Sequence, residues 1–114
     1  MNNWEIFYTP DAQKDRRALE GSVRLQVDKA IAKVARNPLP KSEGGYGEPL
    51  GNAHGRNLTG LCKIKLKEAG IRVVYKLIRT DGLMRILVIA ARADAEFYDL
   101  AEKRGGDGED HHGI

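Results

Sequence analysis

The chain has a single cysteine, Cys62, in 114 residues, so no internal disulfide can form. It also lacks any apolar run long enough to span a membrane or to resemble a signal peptide. These absences lead to the expectation of a soluble, cytoplasmic protein with no membrane partner. The chain has only three histidines, His54, His111 and His112, and none lies near its most basic stretch. Its glycines between 44 and 55 do not form a nucleotide-binding fingerprint, because no strand precedes them and no helix follows. What is present is positive charge. The formal net charge is +3 and the sequence pI is about 9.1, although the tail from Gly105 to Ile114 carries Asp107, Glu109 and Asp110 and no basic residue. The rest of the chain is therefore more basic than the total, a balance that favours phosphate-rich or otherwise acidic partners. The length suits one domain with a modest core.

The basic residues are concentrated between Leu61 and Leu77. Lys63, Lys65 and Lys67 alternate with Cys62, Ile64 and Leu66, and beyond Ala69-Gly70 the alternation resumes through Arg72 and Lys76. This period of two predicts a β-hairpin with one basic and one apolar face. A two-residue loop at Ala69-Gly70 predicts Lys67 opposite Arg72, Lys65 opposite Val74 and Lys63 opposite Lys76. An amphipathic hairpin with a solvated outer face is the commonest fate of such a pattern. Here, however, the like charges repel one another and only Glu68 offsets them, so the cluster points to an anionic partner.

Elsewhere the elements read in order. Trp4, Ile6 and Tyr8 mark a short strand. Thr9-Pro10-Asp11 starts a helix running to Leu19 or Glu20, with Gly21 ending it and Ser22 capping the next. Val23, Val27, Ile31 and Val34 form the apolar stripe of that second helix, which Asn37-Pro38-Leu39-Pro40 stops. Residues 41 to 57 read as a long loop, in which His54 and Arg56 have no nearby second catalytic or ligating group. After the hairpin, Asp81-Gly82 signals a turn, Leu83 to Ala91 a central strand covered on both faces, and Ala93 to Arg104 a closing helix. The acidic tail, 105–114, is too polar and glycine-rich to order itself, and His111 and His112 within it are a weak metal signal. The expected fold is α+β: an antiparallel-rich four-stranded sheet with two N-terminal helices packed on it and a short C-terminal helix, in the order β-α-α-β-β-β-α, as one domain over 1–104.

The segments 57–66 (Asn-Leu-Thr-Gly-Leu-Cys-Lys-Ile-Lys-Leu), 70–75 (Gly-Ile-Arg-Val-Val-Tyr) and 91–98 (Ala-Arg-Ala-Asp-Ala-Glu-Phe-Tyr) give the chain its resemblance to the RelE/ParE superfamily of toxins from type II toxin-antitoxin systems. The resemblance spans roughly residues 3 to 104. It is similar to the mRNA-cleaving RelE branch at Lys63, Lys65, Arg72, Arg92 and Tyr98, which are thereby the candidate catalytic residues. It departs in its longer glycine-rich loop and in its acidic, His-ending tail. The resemblance implies a ribosome-dependent mRNA endonuclease, or mRNA interferase, that acts in the A site without a cofactor or metal. It also implies a cognate antitoxin partner in a hetero-oligomer. The alternative within the superfamily is a ParE-like toxin that poisons DNA gyrase without hydrolysis.

In the implied chemistry a 2′-hydroxyl loses its proton, attacks the adjacent phosphorus and expels the 5′-oxygen. Histidine or glutamate usually takes that proton, and neither is seen in the cluster. Neighbouring positive charges disfavour protonation of a lysine, so one of Lys63 and Lys65 is the expected base while the other stabilises the phosphate. Arg72 and Arg92 then pair the anionic oxygens, and Tyr98 either assists protonation of the leaving group or, as an ordinary phenol favours, stacks on a base or orients it. Taken alone, Tyr98 on an apolar helix face is more often core packing, and Arg92 at a strand end a solvated charge. Simple pairing across Asp81-Gly82 also sets Ala91, not Arg92, beside Arg72, so a shared site needs a bulge. Lys67 and Lys76 are expected to support RNA or ribosome binding. Arg24, Lys29 and Lys33 form a solvated helix face that can also touch RNA phosphates.

Overall fold

The computed structural model describes residues 4–51, 58–91 and 97–105. The strand β1 (Glu5–Tyr8) leads into the helices α1 (Pro10–Arg17) and α2 (Gly21–Val34). Four strands follow, β2 (Glu48–Gly51), β3 (Leu58–Leu66), β4 (Ile71–Ile78) and β5 (Leu83–Ala91), and then the helix α3 (Phe97–Gly105). They build one five-stranded sheet in the order β1-β5-β4-β3-β2, with β1 parallel to β5 and the other pairs antiparallel. The α+β class and the order of the predicted elements hold. The strand count is five rather than four, because β2 lies inside the segment expected to be a loop. Pro49 gives up no ladder hydrogen bond there that an edge strand needs, and Leu50 buries its side chain.

The sheet is covered on both faces. Val27, Ile31 and Val34 of α2 and Ala12 of α1 pack with Cys62, Ile64, Val73, Tyr75 and Ile86 on one face. On the other, Phe97 and Ala101 of α3 pack with Leu58, Leu61, Val74, Leu87 and Val88. The start of α1 follows its sequence: the Thr9 hydroxyl accepts from the Ala12 amide at 3.1 Å and donates to the Ile86 carbonyl at 3.1 Å. The helix junction differs from expectation. The cap residue of α2 is Glu20, not Ser22, and α1 stops at Arg17, where the Arg24 guanidinium donates to the carbonyls of Arg16, Arg17 and Leu19. Carbonyls at a helix end lack intrahelical partners, and of these three the Arg16 carbonyl also accepts from the Leu19 amide. The Arg16–Asp28 ion pair at 2.7 Å joins the two helices.

The hairpin register is corrected by two residues. Leu66 pairs with Ile71, so the loop is Lys67 to Gly70 and not Ala69-Gly70 alone. Gly70 adopts a φ of 68° and its amide returns to the Leu66 carbonyl at 2.9 Å. A shift of two leaves every side chain on its predicted face but changes its neighbour: Lys65 lies opposite Arg72, Lys63 opposite Val74 and Leu61 opposite Lys76. On the other side of β4, the connection takes four residues, with Ile78 opposite Leu83, and a bulge between Val74 and Tyr75 inserts Leu87, so that together they set Ala90, rather than Ala91, opposite Arg72. Beyond the end of β1, the Ile89 amide donates to Asp15 of α1 at 3.0 Å. The Asp15 carboxylate also accepts from Arg104 at 2.8 Å, and Arg104 reaches the Leu87 carbonyl at 3.0 Å. These bonds fasten the last turn of α3 to the sheet, which fixes where its first turn, with Tyr98, begins.

Candidate nucleic-acid interface

Strand alternation carries Lys63, Lys65 and Arg72 to the α3 face of the sheet, where the first turn of α3 meets Arg72. The Arg72 guanidinium donates to the Tyr98 hydroxyl at 3.4 Å. Its carbon lies 5.3 Å from the centre of the Phe97 ring and 5.9 Å from that of Tyr98. The two rings meet edge to face, with centres 5.1 Å apart. Arg72 is thus held by two aromatic residues, and among the described residues no carboxylate pairs with it. Its Nε is buried without a hydrogen-bond partner, an arrangement that lowers stability. Lys65 and Arg72 share a hollow of about 230 Å³ with Leu66, Lys67 and Ile71.

Four of the five candidate catalytic residues therefore have described positions. Lys65, Arg72 and Tyr98 converge, and Lys63 stands two residues from Lys65 on the same strand. Arg92 lies outside the described residues, as do His54, Arg56, His111 and His112. Of the supporting cations, Lys67 lines the same hollow as Arg72, whereas Lys76 sits at the far end of the hairpin beside Leu61 and Arg79. Lys33 faces the edge of the sheet and Lys29 is exposed on α2. Arg24 is engaged at the end of α1, a structural task that local sequence did not reveal.

One residue of the cluster was missed. Glu48 pairs with Lys63 across β2 and β3, and its carboxylate lies 3.5 Å from the Lys41 ammonium and 3.9 Å from that of Lys65. The expectation that no glutamate stands among these lysines is corrected. The only sequence signal was the sparse pattern of Glu48-Pro49-Leu50, too short to mark a strand. Cys62 keeps its expected core role: burial pushes its thiol above the ordinary range, which makes it unreactive. Burial likewise raises the Tyr75 hydroxyl well above a normal phenol, and it donates to the Pro38 carbonyl at 2.7 Å. Neither belongs to the basic face.

The fold and site define a small α+β protein with a cationic hollow at its hairpin, whose Arg72 rests against two aromatic rings. Comparison with known proteins narrows the class. No protein-family model matches the sequence. The chain is 25% identical over 101 residues to an Escherichia coli protein described as RelE-like toxin, covering 89% of this chain and 96% of that one. It is 29% identical over 93 residues to the mRNA interferase toxin RelE of Escherichia coli K12, covering 82% and 87%. A free E. coli RelE toxin variant superimposes with a TM-score of 0.72 at 25% identity, over 90% of this chain and 97% of that one. The intact E. coli RelBE toxin-antitoxin complex contains a chain of the same fold, with a TM-score of 0.59 at 24% identity over 77% and 95%. The chain is therefore similar to RelE-like toxins in sequence and in fold over most of its length. No helix among the described residues is long and apolar enough to cross a membrane.

Proposed function

We propose that this protein is the toxin of a type II toxin-antitoxin system and that it cleaves mRNA in the ribosomal A site of the cytoplasm. The observation that carries the reading is the triad Lys65, Arg72 and Tyr98, two cations on one rung of the sheet with an aromatic hydroxyl bonded to the second. The name of the K12 relative, an mRNA interferase, supports the same chemistry.

The reaction follows from the groups. One amine of Lys63 and Lys65 takes the proton of the 2′-hydroxyl, and the oxygen attacks the adjacent phosphorus as the bond to the 5′-oxygen breaks. The other amine stays charged and stabilises the pentavalent phosphate, with Arg72 and Arg92 on its anionic oxygens. The leaving 5′-oxygen takes up a proton from water, the amine returns its own to solvent, and the upstream strand ends in a 2′,3′-cyclic phosphate. No metal takes part in this route. Tyr98 orients Arg72 and stacks on a base. Glu48 holds Lys65 in place and keeps part of the lysine charge balanced before RNA arrives. An antitoxin of RelB type, as in the E. coli complex, covers the basic face in a toxin-antitoxin hetero-oligomer.

The test is induction of the wild type and a Lys65→Ala/Arg72→Ala variant in bacteria, with mapping of mRNA 5′ ends. The reading predicts growth arrest and new ends within translated frames for the wild type only. Equal arrest by both, without new ends, contradicts it.

A further inference from the structure

A second hollow lies around the edge of the sheet from Arg72. It measures about 370 Å³ and is lined by Lys33 of α2, Lys41, Tyr46 and Glu48 on the approach to and start of β2, and Lys63, Lys65 and Lys67 of β3 and its turn. Five lysines from three parts of the chain thus surround one carboxylate. Lys65 and Lys67 line both this groove and the hollow that contains Arg72, so the two are continuous over the edge of β3.

Tyr46 gives the groove its second property. Half of the residue is exposed, an unusual position for an aromatic ring in a small domain. Its backbone is nevertheless tightly held. The Tyr46 amide donates to the Asn37 carbonyl at 2.9 Å, and the next amide, of Gly47, donates to Leu39 at 2.9 Å. Both flanking residues are glycines for a steric reason: a Cβ at Gly45 would run into the Leu39 backbone, and one at Gly47 into the Tyr75 hydroxyl. The chain is pressed inward on both sides of Tyr46, and the ring is presented outward from a fixed base. A rigid aromatic face beside a row of ammonium groups matches the alternation of bases and phosphates in single-stranded nucleic acid. An acidic peptide would use the lysines and have no need of the ring.

We infer that this groove is a second nucleotide subsite, in which Tyr46 stacks on a base of the RNA strand flanking the scissile phosphate and Lys33 and Lys41 hold its phosphates. The inference rests on the proposed RNA substrate and extends it by assigning residues outside the catalytic cluster. It also accounts for the spread of lysines beyond those the cleavage chemistry uses.

The experiment is fluorescence anisotropy with a labelled, 2′-O-methylated single-stranded RNA hexanucleotide, titrated at several salt concentrations. The proteins are the wild type, Arg72→Ala, Tyr46→Leu and Lys33→Ala/Lys41→Ala, each checked by thermal melting. Tyr46→Leu should weaken binding about tenfold with unchanged melting. Lys33→Ala/Lys41→Ala should lower the slope of log affinity against log salt by about 1.4, from about 0.7 per phosphate contact on single strands. Wild-type binding by both groove variants, with weak binding by Arg72→Ala, overturns the subsite and leaves the RNA reading standing. Failure of the wild type to bind the free hexanucleotide overturns the subsite, whereas the RNA reading itself falls only if the mapped mRNA 5′ ends are also unchanged. A polyglutamate peptide whose binding, unlike that of RNA, is weakened by the groove variants assigns the groove to an acidic protein and overturns the subsite as well.

Discussion

Lys65 faces Arg72 across one rung of the sheet, and this pairing exists because the hairpin loop takes four residues, Lys67 to Gly70, instead of two. Two like charges at directly opposed positions lower stability. Removing either in the free protein is therefore expected to leave the melting temperature unchanged or raised, while removing cleavage. Arg72→Lys keeps the charge but loses the fork, and should reduce cleavage in a translating extract about 100-fold. Tyr98→Phe keeps the ring and loses the acceptor of the Arg72 bond, and should reduce it about tenfold with melting little changed.

Glu48 separates binding from chemistry. Its carboxylate stands between Lys41 and Lys65. Glu48→Gln removes the negative charge from a groove of lysines and should tighten RNA binding about threefold. The same change frees Lys65 from its partner and should slow single-turnover cleavage about tenfold. Tighter binding with unchanged cleavage would show that Glu48 only offsets charge.

Arg24 should behave as a structural residue. Its three bonds to carbonyls at the end of α1 predict that Arg24→Ala costs about 1 to 2 kcal/mol in urea denaturation. RNA affinity should not change, in contrast to Lys67→Ala, whose side chain lines both hollows.

Asp28 gives the fold an acid limit. The hydrogen bonds from Arg16 hold its carboxyl below the ordinary value of 3.8. Folding therefore favours the ionised form, and the stabilisation is complete above the unfolded value and lost as pH falls through the lower, folded one. Asp28→Asn should be less stable than the wild type at neutral pH by about 1 kcal/mol. The gap should close as pH drops below about 3.8, measured by denaturant titration across pH 2.5 to 7.

Gly47 tests how rigidly Tyr46 is presented. In Gly47→Ala the new methyl displaces the Tyr75 hydroxyl from the Pro38 carbonyl. A loss of about 2 kcal/mol is expected, from overpacking together with a buried hydroxyl left unpaired. Thermal melting with Tyr75→Phe/Gly47→Ala as a partial rescue checks the cause.

The elements were legible where local pattern decides them. Thr9-Pro10-Asp11 set the start of α1, the stripe Val23, Val27, Ile31 and Val34 set the buried face of α2, and the apolar run from Leu83 set the central strand. The faces of the hairpin were legible because alternation survives a shift of two. Its register was not, since that depends on Gly70 closing a longer turn. β2 and Glu48 were hidden for a related reason. A four-residue strand with a proline and a terminal glycine has no period of its own, and its pairing with β3 is a tertiary fact. Of the candidate catalytic residues, the approach of Lys65, Arg72 and Tyr98 to one another was anticipated, the neighbour of Lys65 was not, and Arg92 lies outside the described residues.

The most direct test is the chemistry of the cut. A defined mRNA is translated in a bacterial extract with the purified protein, and the upstream fragment is analysed by mass spectrometry. The account predicts cleavage within the codon in the A site and a 2′,3′-cyclic phosphate terminus, both absent with Lys65→Ala/Arg72→Ala. An intact message in the presence of active protein, or an upstream fragment ending in a free 3′-hydroxyl, would contradict it.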